Sequence, residues 1–146
     1  MDLVEIAPDG RVAVAGLDFP TAAPEAFAAT VRMYAATGFH RPWIGYVALE
    51  AGQAVGFCAF KSPPVAGRVE IAYNTFPACE GRGVATRMAG QLVEITGQTD
   101  RALTVIAQTL PAEGASTAIL RKLGFRLLGT VQHPEDGPVW EWTRPP

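Results

Sequence analysis

Cysteine, charge of one sign and long apolar runs are all scarce in this sequence, and each shortage excludes a class of protein. Cys58 and Cys79 are the only cysteines among 146 residues, and neither belongs to a CxxC pair or to a Cys/His cluster with zinc-ligand spacing. The net charge of −2 provides no basic excess for binding nucleic acid. No apolar run is long enough to cross a bilayer. We therefore expect a soluble protein with no metal, no nucleic acid and no membrane among its partners.

The start of the chain and its composition predict where the protein works and how it is organised. Residues 1–10, MDLVEIAPDG, lack the charged-then-apolar pattern of a signal peptide. Cys58 lies in the apolar run VGFCAF and is expected to be a reduced core residue, so a cytoplasmic location is predicted. Hydrophobic residues make up 49% of the chain and charged residues 18%, with no repeat and no linker. Residues 1–146 are therefore predicted to form a single globular domain.

The spacing of apolar and turn residues predicts the element order β–α–β–β–β–α–β–α–β–β. A hairpin or a bent edge strand with a turn at Asp9-Gly10 comes first, followed by a helix over residues 21–39 and by three strands between residues 43 and 76. A second long helix is predicted from about Gly81 to Thr96. The predicted apolar faces of these two helices contain Phe27, Val31 and Tyr34 in the first, and Val84, Met88, Leu92 and Ile95 in the second.

The second half of the chain predicts one pair of parallel strands. An apolar strand over residues 101–108 follows the long helix, and a strand–helix–strand sequence implies a parallel pair with a right-handed crossover. A short helix over residues 112–125, with Ala115, Ile119 and Leu123 on one side, and two strands around HPEDG complete the order. The predicted fold class is α+β (mixed): a central, mostly antiparallel sheet with one parallel βαβ step and flanking helices.

Two closely spaced glycines precede the second long helix and predict an anion site. The first N–H groups of a helix have no partner within the helix and have partial positive charge, and Gly81 and Gly83 remove side chains that would block them. The neighbouring residues are small or basic: Arg82, Ala85, Thr86 and Arg87. This pattern favours a phosphate or pyrophosphate site. The alternative is that the glycines are needed only for their backbone dihedral angles.

Two common phosphate motifs do not fit this loop. A Walker loop requires Gly-Lys-Ser/Thr at its end, whereas Gly83 is followed by Val84 and Ala85. A dinucleotide fingerprint requires a third glycine, and Thr86 occupies its place. That fingerprint also opens the first βαβ unit of a doubly wound sheet, whereas this loop follows three strands.

Two segments of the chain instead resemble the motifs of an acyltransferase family. The segment Glu80-Gly81-Arg82-Gly83-Val84-Ala85 resembles motif A of the GNAT acyl-CoA N-acyltransferases, Gln/Arg-x-x-Gly-x-Gly/Ala. Downstream, TLPAEGASTAILRKLGF resembles the second conserved stretch of the branch that includes the ribosomal-protein alanine acetyltransferases. The matching residues are Thr109, Pro111, Leu120, Lys122, Gly124 and Phe125. The chain departs from the pattern at Glu80, and at Gly114 where the family has asparagine. The resemblance covers residues 44 to 130.

The resemblance implies a GNAT-like fold and acetyl-CoA as cosubstrate. In that family, acyl-CoA lies where two parallel strands splay apart, here expected near Phe76 and Ala107. The pantetheine arm would pair with the backbone of one strand, and the pyrophosphate would bind the loop amides. The implied cofactor-binding residues are Tyr73, Asn74, Thr75, Gly81, Arg82, Gly83, Val84, Ala85 and Thr86.

The resemblance also implies direct attack of an amine on the thioester. Glu70, on the strand that leads into the loop, is the expected base; the alternative is an exposed strand glutamate paired with Arg68 or Lys61. Ser116 is the expected proton donor to the leaving thiolate, because Leu120 stands where other members have tyrosine. The alternative for Ser116 is a hydroxyl bonded to the backbone at the helix start.

Three other side chains were considered for roles in the reaction. Cys79 precedes a helix start, which can lower a thiol pKa, but a plain loop cysteine is expected rather than an acyl-cysteine. His40 and His133 are predicted to be surface residues in connecting segments, with His40 close enough in sequence to Trp43 to border the acceptor site. None of them is therefore expected to be catalytic.

The function implied is an N-acetyltransferase that acts on a primary amine, either a small molecule or a protein N-terminus. The alternative is a non-catalytic acyl-CoA-binding module, which the departures at Glu80, Gly114 and Leu120 favour. The sequence leaves the oligomeric state open, with a homodimer as one option.

Overall fold

The secondary structure follows the predicted order along the whole chain. The computed structural model describes residues 1–146. Its strands are β1 (Asp2–Glu5), β2 (Gly45–Glu50), β3 (Gln53–Phe60), β4 (Arg68–Thr75), β5 (Thr104–Thr109), β6 (Arg126–His133) and β7 (Gly137–Arg144). Its helices are α1 (Ala23–Thr37), α2 (Val84–Thr99) and α3 (Ala115–Lys122), and a short 3₁₀ turn covers Pro77–Cys79. None of the helices is both long and apolar enough to cross a membrane.

The strands form one seven-stranded sheet in the order β1-β2-β3-β4-β5-β7-β6. Every neighbouring pair is antiparallel except β4 and β5, which are parallel. The predicted α+β class with a single parallel step is confirmed. The first segment turns back at Asp9-Gly10, as the hairpin alternative predicted, but its pairing beyond β1 is limited to an isolated antiparallel bridge between Ile6 and Val12.

The parallel pair opens after three residues. Strand β4 pairs with β5 only over Arg68–Glu70 against Thr104–Ile106. Beyond this point β4 stays paired with β3 as far as Thr75, while β5 stays paired with β7 as far as Thr109. Each strand is held by its outer neighbour, so the gap between them remains open as a cleft inside the sheet.

Helix α2 covers one face of β3 and β4 and aims its first turn at this cleft. The predicted stripe is confirmed for Val84, Met88 and Leu92, which are all buried. Ile95 is only half-buried, and Thr96 is buried instead, with its hydroxyl donating to Leu92 O at 2.9 Å. Burial of these side chains fixes where the loop before α2 lies relative to β4.

Helix α1 is anchored to the sheet by a buried tyrosine. The Tyr34 hydroxyl donates to Ile6 O at 2.7 Å and accepts from Gly45 N at 2.9 Å, and burial raises its pKa. Phe27 and Val31 lie half-buried on the same face, as predicted. Cys58 is a core residue, also as predicted, and burial raises the pKa of its thiol to about 12.

Candidate active site

The cleft between β4 and β5 contains two cavities that meet. The first, of about 530 Å³, is called the phosphate-loop cavity and is lined by Tyr73, Asn74, Thr75, Glu80, Gly81, Gly83, Val84, Ala85, Thr86, Ala115, Ser116 and Ile119. The second, of about 230 Å³, is called the Glu70 cavity and is lined by Lys61, Glu70, Ile71, Ala72, Tyr73, Gln108, Thr109, Leu110, Ser116, His133, Asp136 and Val139. Tyr73 and Ser116 line both, so the two cavities join at these side chains.

The loop before α2 presents free backbone amides to the phosphate-loop cavity. No N–H group from Gly81 to Thr86 donates to a backbone or side-chain acceptor, and the helix start at Gly83 has no side-chain cap. Gly81 and Gly83 have φ angles of 76° and 74°, in the left-handed region that costs other residues about 1–2 kcal/mol. Unpaired amides at a helix N-terminus bind anions. The loop therefore fits the diphosphate that the sequence motif predicts.

The open edge of β4 offers further hydrogen-bonding groups. Two bonds fix which residues face β3: Lys61 N to Glu70 O at 2.9 Å, and Phe76 N to Val55 O at 3.0 Å. Because backbone groups alternate sides along a strand, those of Tyr73 and Thr75 face the cleft. Thr75 Oγ1 is also buried without a hydrogen-bond partner, a state that costs about 1–3 kcal/mol. An elongated ligand with amide groups, such as pantetheine, fits both features.

The charges around the loop differ from the prediction at Arg87. Its guanidinium forms two hydrogen bonds with the Glu50 carboxylate, at 2.6 and 2.8 Å, and this contact lowers the pKa of Glu50. Arg87 does lie beside the loop, with its guanidinium next to Gly83, but the paired Glu50 carboxylate offsets its charge. Arg82 is exposed and reaches only Cys79 O, at 3.5 Å, whereas Glu80 lines the cavity with a negative charge.

Glu70 lies in the second cavity and is paired with a lysine. Its Oε2 is 3.3 Å from Lys61 Nζ, and its side chain is 27% exposed. Arg68, the other partner considered from the sequence, bonds Glu141 at 3.4 Å instead. Glu70 is thus both ion-paired, as one interpretation predicted, and placed on the wall of a cavity, as a base must be.

Ser116 stands where the two cavities meet, and its hydroxyl bonds to no other protein atom. The backbone-capping role considered for it belongs to Thr117, whose Oγ1 accepts from Gly114 N at 3.0 Å and shares its one proton between Gly114 O and Glu113 Oε2, each 2.9 Å away. Thr117 and Leu120 form the buried face of α3, while Ala115 and Ile119 line the phosphate-loop cavity. Leu120 is 0% exposed, so this position provides no proton donor.

An ion pair links the start of α3 to its last turn. Both Glu113 carboxylate oxygens accept from Arg121, at 2.6 and 2.8 Å. Hydrogen bonds from Arg121 and Thr117 lower the pKa of Glu113 to about 2. The Arg121 guanidinium also lies 4.9 Å from the ring centroid of Trp142 on β7, which attaches the helix to the sheet.

Two of the three remaining predictions agree with the structure, and one is wrong. Cys79 lies in the 3₁₀ turn, half-buried against the core, and His40 is exposed outside both cavities. His133 is not a residue of a connecting segment: it ends β6 and lines the Glu70 cavity, with its side chain 23% exposed. The sequence missed it because β6 reaches the cleft only through the non-local pairing of β5, β7 and β6.

The fold and the cleft together define a class of protein: a mixed sheet whose single parallel pair of strands splays apart beside a glycine loop with free amides. A family model described as an acetyltransferase (GNAT) domain matches residues 1–126. The chain therefore belongs to the GNAT acetyltransferase domain family. A comparison with curated protein sequences finds no match.

Solved structures of acetyltransferases share the fold. The ribosomal-protein-alanine N-acetyltransferase from Brucella melitensis is 21% identical, with a TM-score of 0.60 over 70% of this chain and 68% of that chain. The RimL ribosomal L7/L12 alpha-N-protein acetyltransferase, in complex with coenzyme A, is 16% identical, with a TM-score of 0.66 over 83% and 70%. The aminoglycoside acetyltransferase AAC(6')-Ib, also with coenzyme A, is 22% identical, with a TM-score of 0.60 over 70% and 65%. The chain thus spans about two thirds of that enzyme's length.

Proposed function

We propose that the protein is an N-acetyltransferase that moves an acetyl group from acetyl-CoA to a primary amine. The observation that carries the proposal is the junction of the two cavities at Tyr73 and Ser116. One cavity offers free amides for a diphosphate, and the other offers a carboxylate for an amine. A ligand thioester at the junction would lie between them.

The loop and the strand edge bind the cosubstrate in this proposal. The amides from Gly81 to Thr86 hold the diphosphate, and the backbone of Tyr73 and Thr75 pairs with the pantetheine arm. Each favourable contact between an anion and a helix N-terminus contributes about 0.3–1 kcal/mol, so several together give useful affinity. Acetyl-CoA supplies the activated acetyl thioester.

Glu70 is the proposed base. Only a neutral amine attacks a carbonyl carbon, and an α-amino group with a pKa of about 8 is roughly a tenth neutral at pH 7. Glu70 takes the proton from the attacking amine as the C–N bond forms and the C–S bond breaks. Ser116 passes a proton to the departing thiolate and takes one back from water, while Glu70 releases the amine's proton to solvent. Lys61 orients the Glu70 carboxylate through the contact at 3.3 Å.

The acceptor is proposed to be a small-molecule amine or a peptide N-terminus. The similar solved structures include acetyltransferases of both kinds. Both cysteines are free thiols, which supports a reducing, cytoplasmic location. A homodimer stays a prediction that the molar mass in solution measures directly.

A non-catalytic acyl-CoA-binding module is the second candidate. Glu80 brings a negative charge into the phosphate-loop cavity, and Leu120 is buried where other family members have a proton donor. Neither feature prevents acyl-CoA binding, and both are departures from the residues of catalytically active family members.

Calorimetry and an amine panel distinguish the two candidates. Titration with coenzyme A measures binding, and thiol release from acetyl-CoA in the presence of varied primary amines measures transfer. We expect binding together with transfer to at least one amine. Binding without thiol release over the whole panel would support the module, and an absence of binding at millimolar ligand would contradict both candidates.

A further inference from the structure

One side chain of the Glu70 cavity, besides Glu70 itself, has its hydrogen bonding fixed by the fold. His133 Nδ1 accepts from the backbone N–H of Glu135 at 3.2 Å and of Asp136 at 3.1 Å. A backbone N–H can only donate, so these two contacts assign Nδ1 as the acceptor nitrogen of the ring. The proton is then on Nε2, and the ring is a donor on its remaining polar side.

The carboxylate beside this ring does not change the assignment. Asp136 Oδ2 lies 3.4 Å from Nδ1, and its side chain is 67% exposed. This distance is longer than those from Nδ1 to the two backbone nitrogens, and most of the Asp136 side chain faces solvent. The two amide bonds therefore decide the tautomer, and they also close the turn between β6 and β7.

Most other polar groups of this cavity already have partners. Lys61 is paired with Glu70, and Thr109 Oγ1 accepts from Trp142 Nε1 at 3.0 Å while donating to Leu110 O at 3.1 Å. The Gln108 amide can either donate or accept, so it does not discriminate between donor and acceptor groups on a ligand. Lys61 stands beside Glu70 and Ser116 stands at the junction of the two cavities, so the His133 Nε2–H is the donor on the β6 side of this cavity.

We propose that His133 is a specificity-determining residue whose Nε2–H donates to an oxygen of the acceptor. The cavity of about 230 Å³ is smaller than typical ligand pockets of about 300–1,000 Å³, so an amine at Glu70 and an oxygen at His133 belong to one small group. The acceptor class is therefore an amine with a carbonyl or hydroxyl oxygen a few bonds away. This proposal rests on the N-acetyltransferase function proposed above.

A matched pair of amines and one variant test the proposal. Alaninamide has the carbonyl oxygen, and 2-aminobutane has a similar shape without it. His133→Asn keeps the turn, because an asparagine side chain can accept from backbone N–H groups two residues on, but it does not reach the position of Nε2. The ratio of kcat/KM for alaninamide over 2-aminobutane is compared between wild type and variant, so that differences in amine pKa cancel.

We expect this ratio to fall about tenfold in His133→Asn, the upper end of the effect of one neutral hydrogen bond. The affinity for coenzyme A and the melting temperature should match those of the wild type. A ratio unchanged within twofold would overturn the proposal while leaving the N-acetyltransferase function intact.

A second measurement does not depend on turnover. Nitrogen-15 NMR of histidine in the coenzyme A complex reports the tautomer of His133, which we expect to be Nε2–H. Adding alaninamide should move the Nε2 resonance, and 2-aminobutane should not. An Nδ1–H tautomer, or equal responses to both amines, would overturn the proposal even if no amine is acetylated.

Two further acceptors distinguish the source of the oxygen. A trialanine amide presents the carbonyl of a peptide N-terminus, and 1-amino-2-propanol presents the hydroxyl of a small amino alcohol. Both should lose about tenfold in kcat/KM in His133→Asn relative to 2-aminobutane. In the wild type, a higher kcat/KM for the peptide would indicate a polypeptide acceptor, and a higher value for the amino alcohol would indicate a small molecule.

Discussion

The two ends of the cleft are built from different parts of the chain. The phosphate-loop cavity offers backbone groups, namely the amides from Gly81 to Thr86 and the open edge of β4. The Glu70 cavity offers side chains from β4, β5, α3, β6 and β7, and from the segments that follow β3 and β6. Side-chain substitutions should therefore affect the acceptor end most, whereas changes of backbone conformation should affect the cosubstrate end most.

The largest expected effect comes from the acceptor end. Glu70→Gln keeps the size of the side chain but removes the base, so kcat should fall by roughly 10²–10⁴. The affinity for coenzyme A should not change, because Glu70 does not line the phosphate-loop cavity. Steady-state kinetics and calorimetry together measure the two effects. Wild-type turnover in this variant across the pH range would remove Glu70 from the reaction.

A change of backbone conformation in the loop should weaken coenzyme A binding, which Glu70→Gln should leave unchanged. Gly81→Ala places a side chain at a φ of 76°, which costs about 1–2 kcal/mol, so coenzyme A should bind about tenfold more weakly. Calorimetry measures the change.

Gly97→Ala is the matched control for this substitution. Gly97 lies within α2 with open space around the position of a Cβ, and alanine should stabilise the helix by roughly 0.5–1 kcal/mol. Equal affinities for coenzyme A in the two variants would contradict a backbone-built site.

A smaller effect is expected from a charge at the cosubstrate end. Glu80 lines the cavity that is proposed to bind a diphosphate, so Glu80→Gln should remove a repulsion of about 0.3–1 kcal/mol. Coenzyme A should then bind about two- to fivefold more tightly at low salt. The gain should shrink as salt rises, because the screening length falls to about 3 Å at 1 M. Weaker binding would instead indicate that Glu80 bonds the ligand.

The smallest effect is expected at the cysteines. Direct attack by the amine needs no acyl-cysteine, so Cys79→Ala should retain turnover within about twofold in the amine assay. Burial raises the pKa of Cys58 to about 12, so its thiolate is scarce at neutral pH and becomes abundant only as the pH approaches 12.

Thiol labelling of the folded protein tests the difference in reactivity between Cys79 and Cys58. An alkylating reagent at neutral pH should modify Cys79 and spare Cys58. Loss of transfer in Cys79→Ala, with unchanged affinity for coenzyme A, would support a covalent intermediate.

The difference between the two ends of the cleft also explains which parts of the site the sequence could predict. The phosphate loop is local: Gly81, Gly83 and the amphipathic pattern of α2 lie within one continuous segment, so spacing and element order were sufficient to place it. The pair of Arg87 with Glu50 and the position of His133 depend on strands distant in sequence. No periodicity in a single segment contains this information.

The environments of Thr75 and Ser116 could not be predicted from the sequence either, because they depend on packing between distant segments. The orphaned Thr75 Oγ1 results from the separation of β4 from β5, and this separation depends on how each strand pairs on its other side. Thr117 rather than Ser116 bonds the backbone at the start of α3. Both hydroxyls are near the helix start, and only the packing of α3 decides which one turns inward.

Strands β4 and β5 pair over only three residues each, Arg68–Glu70 and Thr104–Ile106, and this short ladder is called the seam of the sheet. Strands β1 to β4 form one block and strands β5 to β7 form another, and the backbone pairing between the blocks is limited to this seam. The ion pair between Arg68 and Glu141 also crosses from one block to the other. A ligand lying along the seam would bridge both blocks, so amide hydrogens at Val69 and Val105 should exchange with solvent more slowly once coenzyme A is bound.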